Sequence, residues 1–198
     1  LERIGGQIQI RGTDRTMPLG DAVARLPKEE RTDLEDWQPP NATFPNGTHI
    51  AEVVLDPETG TIKLEKYVVV DDFGVSLNPV MLDGQIHGGV VQGIGQAVME
   101  RTVYDPESGQ LRTASFLDYC MPRASDVPMF EIDTRNVPCK TNALGMKGAG
   151  EAGAIGSCPA MVNAVVNALH HEYGITHIDM PMTPQRVWQA IREAKQST

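Results

Sequence analysis

The stretch KGAGEAGAIG, Lys147–Gly156, decides how this chain is to be read. It spells G-x-G-x-x-G at Gly148, Gly150 and Gly153, and a dinucleotide-binding turn there would make the fold a doubly wound α/β sheet. Such a turn needs a hydrophobic strand before it and a helix after it, so that backbone N–H groups and the helix N-terminus cradle a pyrophosphate. Only the helix is evident. The preceding VPCKTNALGMK, Val137–Lys147, carries a proline, an asparagine and two lysines where a buried parallel strand reads as a Val/Ile run. Glu151 also puts a carboxylate at the helix end that a phosphate would need.

Outward from this loop the chain is strand-rich upstream and helical downstream. THIAEVVLDPETGTIKLEKYVVVDD (48–72) gives two β-rich runs, Thr48–Leu55 and Thr61–Asp71, joined by Asp56-Pro57-Glu58-Thr59-Gly60. Proline second in the turn and glycine at its end fit a type I turn closed by a glycine bulge. The same D-P-E-[S/T]-G spelling at Asp105–Gly109 predicts a second hairpin across Thr102–Phe116. Between them Asn78-Pro79 opens a helix, with Ile86, Val90, Ile94, Ala97 and Val98 on one apolar face. Met129–Val137 is a third strand candidate. Glu151–His171 reads as a long helix, apolar at Ile155, Val162, Val165, Val166 and Leu169, and Thr183-Pro184 opens a last one. Strands and helices do not alternate strictly, so the expected class is α+β, with β-hairpins and a mixed sheet beside glycine-rich helices. Residues 1–47 begin with strand-like alternation but are broken by Pro18, Pro27, Pro39 and Pro40. With one short helical candidate, Leu19–Leu26, they are expected to connect to a preceding part, and residues 48–198 to form the domain proper.

Composition excludes several classes. The 198 residues are 40% hydrophobic and 22% charged, as in one or two globular domains. A net charge of −9 lacks the clustered Lys and Arg of a nucleic-acid or anionic-membrane surface. No uninterrupted run approaches about 18 apolar residues and no signal segment opens the chain, so a cytoplasmic protein is expected. Cys120, Cys139 and Cys158 lack C-x-x-C spacing, which predicts neither a disulfide framework nor an iron–sulfur site, and Cys158 beside Pro159 reads as a small buried residue. His49, His87, His170, His171 and His177 show no ligand spacing, so no metal held by protein ligands is expected.

The helix opening at Pro79 carries five glycines, Gly84, Gly88, Gly89, Gly93 and Gly95, each costing about 0.5–1 kcal/mol against alanine. Small residues at this spacing let another helix or strand approach closely. The same bareness lets a flat ligand lie on the backbone, with Gln85 and Gln92 on one face offering amide groups to a heterocycle such as a pterin or purine. In KGAGEAGAIG the glycines clear a space, and Glu151 is the one acid among them.

Three segments, NPVMLDGQIHGGVVQGIGQAVMER (78–101), YDPESGQLRTASFLDYCMPRASDVP (104–128) and GMKGAGEAGAIGSCPAMVNAVVNAL (145–169), are followed by TPQRVWQAI (183–191). In this order they closely resemble the C-terminal part of the molybdenum-binding subunit of the xanthine dehydrogenase and aldehyde oxidase family, which includes carbon monoxide dehydrogenase. The resemblance implies a molybdopterin-dependent oxidoreductase that hydroxylates an electron-poor carbon of an aldehyde, purine or N-heterocycle, with water as oxygen source. It implies that Gln85 contacts the molybdopterin, expected in its cytosine dinucleotide form, with Gly88, Gly89 and Gln92 beside it and the backbone of Gly148, Ala149 and Gly150 against it. The glutamate of K-G-x-G-E, here Glu151, is by the same resemblance the active-site base, and the metal is held by the pterin dithiolene. [2Fe–2S] clusters and FAD are implied on partner subunits or domains. The family's subunit is several times longer, so the chain is expected to be a C-terminal fragment or one subunit of a split molybdenum protein, inactive alone and part of an oligomer when intact. From the residues alone two other readings stay open: a NAD- or FAD-binding dehydrogenase domain, and a non-catalytic structural or interaction module.

Overall fold

The alternation at the start of the chain does form strands. The computed structural model describes residues 1–34, 36, 38 and 41–196. Within it Glu2–Ile4 (β1), Gln7–Gln9 (β2) and Thr16–Pro18 (β3) make an antiparallel sheet in the order β1-β2-β3, and Leu19–Ala24 (α1) follows. Gly5 and Gly6 form the two-residue β1–β2 loop, with φ of 54° and 82°, the doubly positive geometry that suits a tight hairpin. These elements belong to a unit, Leu1–Pro39, separate from Pro40–Thr198, and none of its described residues is buried.

In the second unit Asn46–Leu55 (β4) and Ile62–Asp72 (β5) pair antiparallel about the Asp56–Gly60 turn. Gly60 has φ 72°, and its N–H donates to Asp56 O at 2.7 Å. Glu131–Thr134 (β6) joins β5 in parallel, giving the mixed sheet β4-β5-β6. One irregularity positions the site. The register steps from Glu52↔Lys66 to Val53↔Leu64, leaving Glu65 unpaired as a bulge in β5. Before it Leu64 faces the core; beyond it the parity changes, and Tyr67, Val69, Asp71 and Phe73 are buried on the inner face. Across the pair Gly47 faces Asp71, His49 faces Val69 and Ala51 faces Tyr67. His49 therefore lies diagonally between Tyr67 and Asp71 on the inner face.

Pro79–Val98 (α2) begins where Asn78 Oδ1 accepts the Met81 N–H at 3.1 Å, and it buries Ile86, Val90, Ile94 and Ala97. Ala152–Tyr173 (α3) packs on α2 and β4 and buries Gly153, Ser157, Met161, Val165 and Leu169 at four-residue spacing. The two helices meet backbone to backbone. A Cβ at Gly89 would lie 3.0 Å from Gly153 Cα, and one at Gly93 would lie 1.9 Å from Ser157 Oγ. Bareness at Gly89 and Gly93 thus serves helix packing, whereas Gly84 and Gly88 face open space. By length and composition α3 could cross a membrane, but its buried stripe against α2 is that of a core helix. Pro184–Gln196 (α4) adds Val187 and Ile191 to the core.

Two local expectations need correction. Ile155 is 69% exposed, because the stripe through Gly153 and Ser157 meets α2 and leaves Ile155 facing an open cavity beside Glu151. The second hairpin contracts to the Asp105–Gly109 turn and a lone Tyr104↔Leu111 bridge. Its flanking Phe116 and Leu117 are exposed, and a hairpin without a packed face is marginal.

Candidate functional site

The loop leading to Glu151 is tied back onto the end of β5. Asp72 is buried, and its Oδ1 accepts N–H groups from Gly74 at 2.9 Å and Val137 at 3.0 Å. Its Oδ2 meets Lys147 Nζ at 2.5 Å. Burial pushes the Asp72 carboxyl up, but the Lys147 ammonium and the two backbone donors outweigh it and hold the group at about 2. The Lys147 N–H also donates to Phe73 O at 2.9 Å, and the Asn142 side chain bonds Met146 through both its N–H and its carbonyl. The lysine of K-G-A-G-E is therefore the anchor that fixes where α3 begins. Between Pro138 and Gly150 there is only loop, turn and an isolated Gly74↔Met146 bridge, so no strand feeds the glycines and the G-x-G-x-x-G spelling is not a doubly wound turn.

Glu151 occupies the N-cap position of α3 with φ −118° and ψ −1°, and its side chain makes no capping hydrogen bond. The first-turn N–H groups of α3 thus lack a side-chain cap. Glu151 lines a cavity of about 420 Å³ together with Gly148, Gly150 and Gly156 on one side and His49 and Asp71 on the other. Gln85 stands outside this lining, but its Nε2 donates to Gly150 O at 2.6 Å and ties α2 to the loop. Ala149 packs against the core, and Gly89 is buried at the helix crossing. Gly88 and Gln92 lie exposed along α2. The structure thus brings Glu151, Gly148, Gly150 and Gln85 together and leaves Gly88 and Gln92 on the open side of α2. Cys158 meets Met180 Sδ at 3.3 Å and burial raises its thiol, as suits a packed side chain.

Sequence reasoning missed a buried polar trio that reaches the cavity through His49 and Asp71. His49 Nδ1 lies 2.8 Å from the Tyr67 hydroxyl, and His49 Nε2 lies 3.4 Å from Asp71 Oδ1. The His49 and Asp71 side chains are 6% and 3% exposed, and Tyr67 is fully buried. Burial, then the Asp71 charge, push the Tyr67 phenol above its ordinary pKa, so its proton stays on. Gly47 makes room for the acid, since a Cβ there would fall 1.7 Å from Asp71 Oδ1. Period-two alternation with Ala51, Val53 and Leu55 does turn His49 inward, so that residue was legible. Asp71 was not, because its parity depends on the bulge at Glu65.

The family model for the molybdopterin cofactor-binding domain matches residues 5–128. The chain belongs to the molybdopterin cofactor-binding domain family. The nicotine 6-hydroxylase large subunit of Paenarthrobacter nicotinovorans is 44% identical over 156 residues, 79% of this chain and 19% of its own length. The carbon monoxide dehydrogenase large chain of Hydrogenophaga pseudoflava is 37% identical over 157 residues, with the same shares. Quinoline 2-oxidoreductase from Pseudomonas putida 86 superposes with a TM-score of 0.81 at 30% identity, over 95% of this chain and 25% of that one. The chain thus spans about a fifth to a quarter of the length of these relatives. The family that its motifs resemble is the family found, and the α+β class agrees with its fold.

Proposed function

We propose that the chain forms one wall of the active site of a molybdenum hydroxylase, with Glu151 as the base. The observation that carries this is the convergence of Glu151 with bare Gly148 and Gly150 backbone in one cavity, at a helix start without a side-chain cap. Such an opening fits the anionic molybdopterin: exposed glycines admit close approach, and free N–H groups at a helix N-terminus favour negative charge. Gln85, which already holds Gly150, and the loop Gly148–Ala149–Gly150 would hold the cofactor, with Gly88 and Gln92 on the open side of α2, while Gly89, expected beside them, is taken up by the helix crossing. When bound, the cofactor would supply the oxygen transferred to carbon and accept the two electrons released. Glu151 then takes and holds the proton of the attacking oxygen, a role that asks for an unpaired carboxylate facing the cavity. The Lys147–Asp72 anchor keeps that carboxylate in place.

The cytosine dinucleotide form of the cofactor belongs to this reading, as do [2Fe–2S] and FAD centres on partner subunits and a cytoplasmic location. The remainder of the molybdenum subunit supplies the other walls and the substrate choice. The electron-poor carbon in this reading is that of an aldehyde, a purine or another N-heterocycle, and two of the relatives above carry nicotine and quinoline in their names. The test is Glu151→Gln in the intact enzyme. Molybdenum content should stay near wild type while turnover falls at least roughly 10²-fold, the scale for losing a general base; undiminished turnover per molybdenum would sink the assignment.

A further inference from the structure

We infer that His49, clamped by Tyr67 and Asp71, is the positioning residue that seats the first turns of α3 and so sets the place of Glu151; the inference rests on reading Glu151 as the base. The ring is held at both nitrogens: Nδ1 lies 2.8 Å from the Tyr67 hydroxyl and Nε2 lies 3.4 Å from Asp71 Oδ1. Asp71 Oδ2 has no hydrogen-bond partner among the described residues, and the imidazole lies against Oδ1. Tyr67 and Asp71 both belong to β5, so the ring is held from both edges by residues of the sheet.

What the fixed ring touches is α3. A Cβ on Gly156 would lie 2.5 Å from both Cδ2 and Nε2 of His49 and 2.6 Å from Cε1. Gly156 is therefore a notch that receives the imidazole, five residues beyond Glu151 on the same rigid helix. This gives the last glycine of KGAGEAGAIG a packing role outside the α2 crossing. An ordinary carbon contact begins near 3.4 Å, so an alanine at 156 forces α3 and the held ring about 1 Å apart, and a displacement of that size passed on to a reacting group costs about 10²-fold.

The experiment uses the intact molybdenum enzyme carrying Gly156→Ala, His49→Ala, the double substitution and, separately, His49→Gln. Gly156→Ala should lower kcat per bound molybdenum about 10²-fold with KM within about twofold. The double variant should be no worse than His49→Ala, because the ring that clashes is gone. Amide hydrogen exchange over residues 152–157 should accelerate in both His49 variants, a readout independent of turnover. Should Gly156→Ala not assemble, His49→Gln carries the kinetic test, with an expected loss of at least about tenfold per molybdenum. Wild-type kcat per molybdenum in that variant, additive losses in the double variant, or unchanged exchange would each overturn the inference. Glu151→Gln run alongside separates the two readings: if it retains turnover the base assignment fails, while the exchange result still decides whether His49 seats α3.

Discussion

Replacing Lys147 by methionine tests the anchor on which the site is built. Methionine keeps the aliphatic stem and removes the charge. The pair it breaks is buried, with the Lys147 and Asp72 side chains 12% and 9% exposed. Removing one partner of a buried pair costs about 3–5 kcal/mol, because the other charge is left unpaired. Asp72 keeps the Gly74 and Val137 N–H groups, so the loss belongs at the low end, about 3 kcal/mol. For a domain of this size that is a fall in Tm of about 6–12 °C, read by far-UV circular dichroism or urea titration of the chain. The pH dependence has a definite sign. Asp72 sits at about 2 in the folded state, below its unfolded value of about 3.9. Its contribution is therefore fully present above about pH 4 and is lost as pH falls from there toward 2. In the methionine variant the carboxyl titrates higher, so the gap to wild type should be widest near neutrality and should narrow toward pH 2. A variant within about 0.5 kcal/mol of wild type at pH 7, or a gap unchanged across that range, would refute the reasoning.

Two further substitutions separate the roles of the α2 residues. Gly84→Ala, in open space on the helix, should raise stability by about 0.5–1 kcal/mol, while Gly93→Ala, which would meet Ser157 Oγ, should lower it by about 1–3 kcal/mol; urea midpoints decide, and equal signs would contradict the crossing. Asn78→Ala should cost about 1 kcal/mol through loss of the Met81 N–H cap, and no change in midpoint would show that the cap adds nothing.

The sequence made much of this legible, and the rest was hidden for physical reasons. The β4–β5 hairpin, the Asn78-Pro79 helix start and the long helix after Glu151 all follow from local chemistry: period-two alternation, a turn that demands glycine, and a cap. The bulge at Glu65 could not be read, because either parity of IKLEKYVVVDD leaves apolar residues on both faces. That one residue decides whether Asp71 points inward, and so whether the trio with His49 and Tyr67 exists. The glycines of α2 had two plausible uses, and only the helix crossing divides them, giving Gly89 and Gly93 to packing and leaving Gly84 and Gly88 open. The second hairpin failed because turn chemistry is local, whereas strand pairing needs a face to pack on.

The central claim is that the cofactor sits against Glu151. The most direct measurement is an anomalous difference map at the molybdenum absorption edge from crystals of the intact enzyme. The proposed site predicts a single molybdenum peak per copy, facing the Glu151 carboxylate in the cavity of Gly148 and Gly150. Stoichiometric molybdenum whose peak lies elsewhere, away from Glu151, would contradict it.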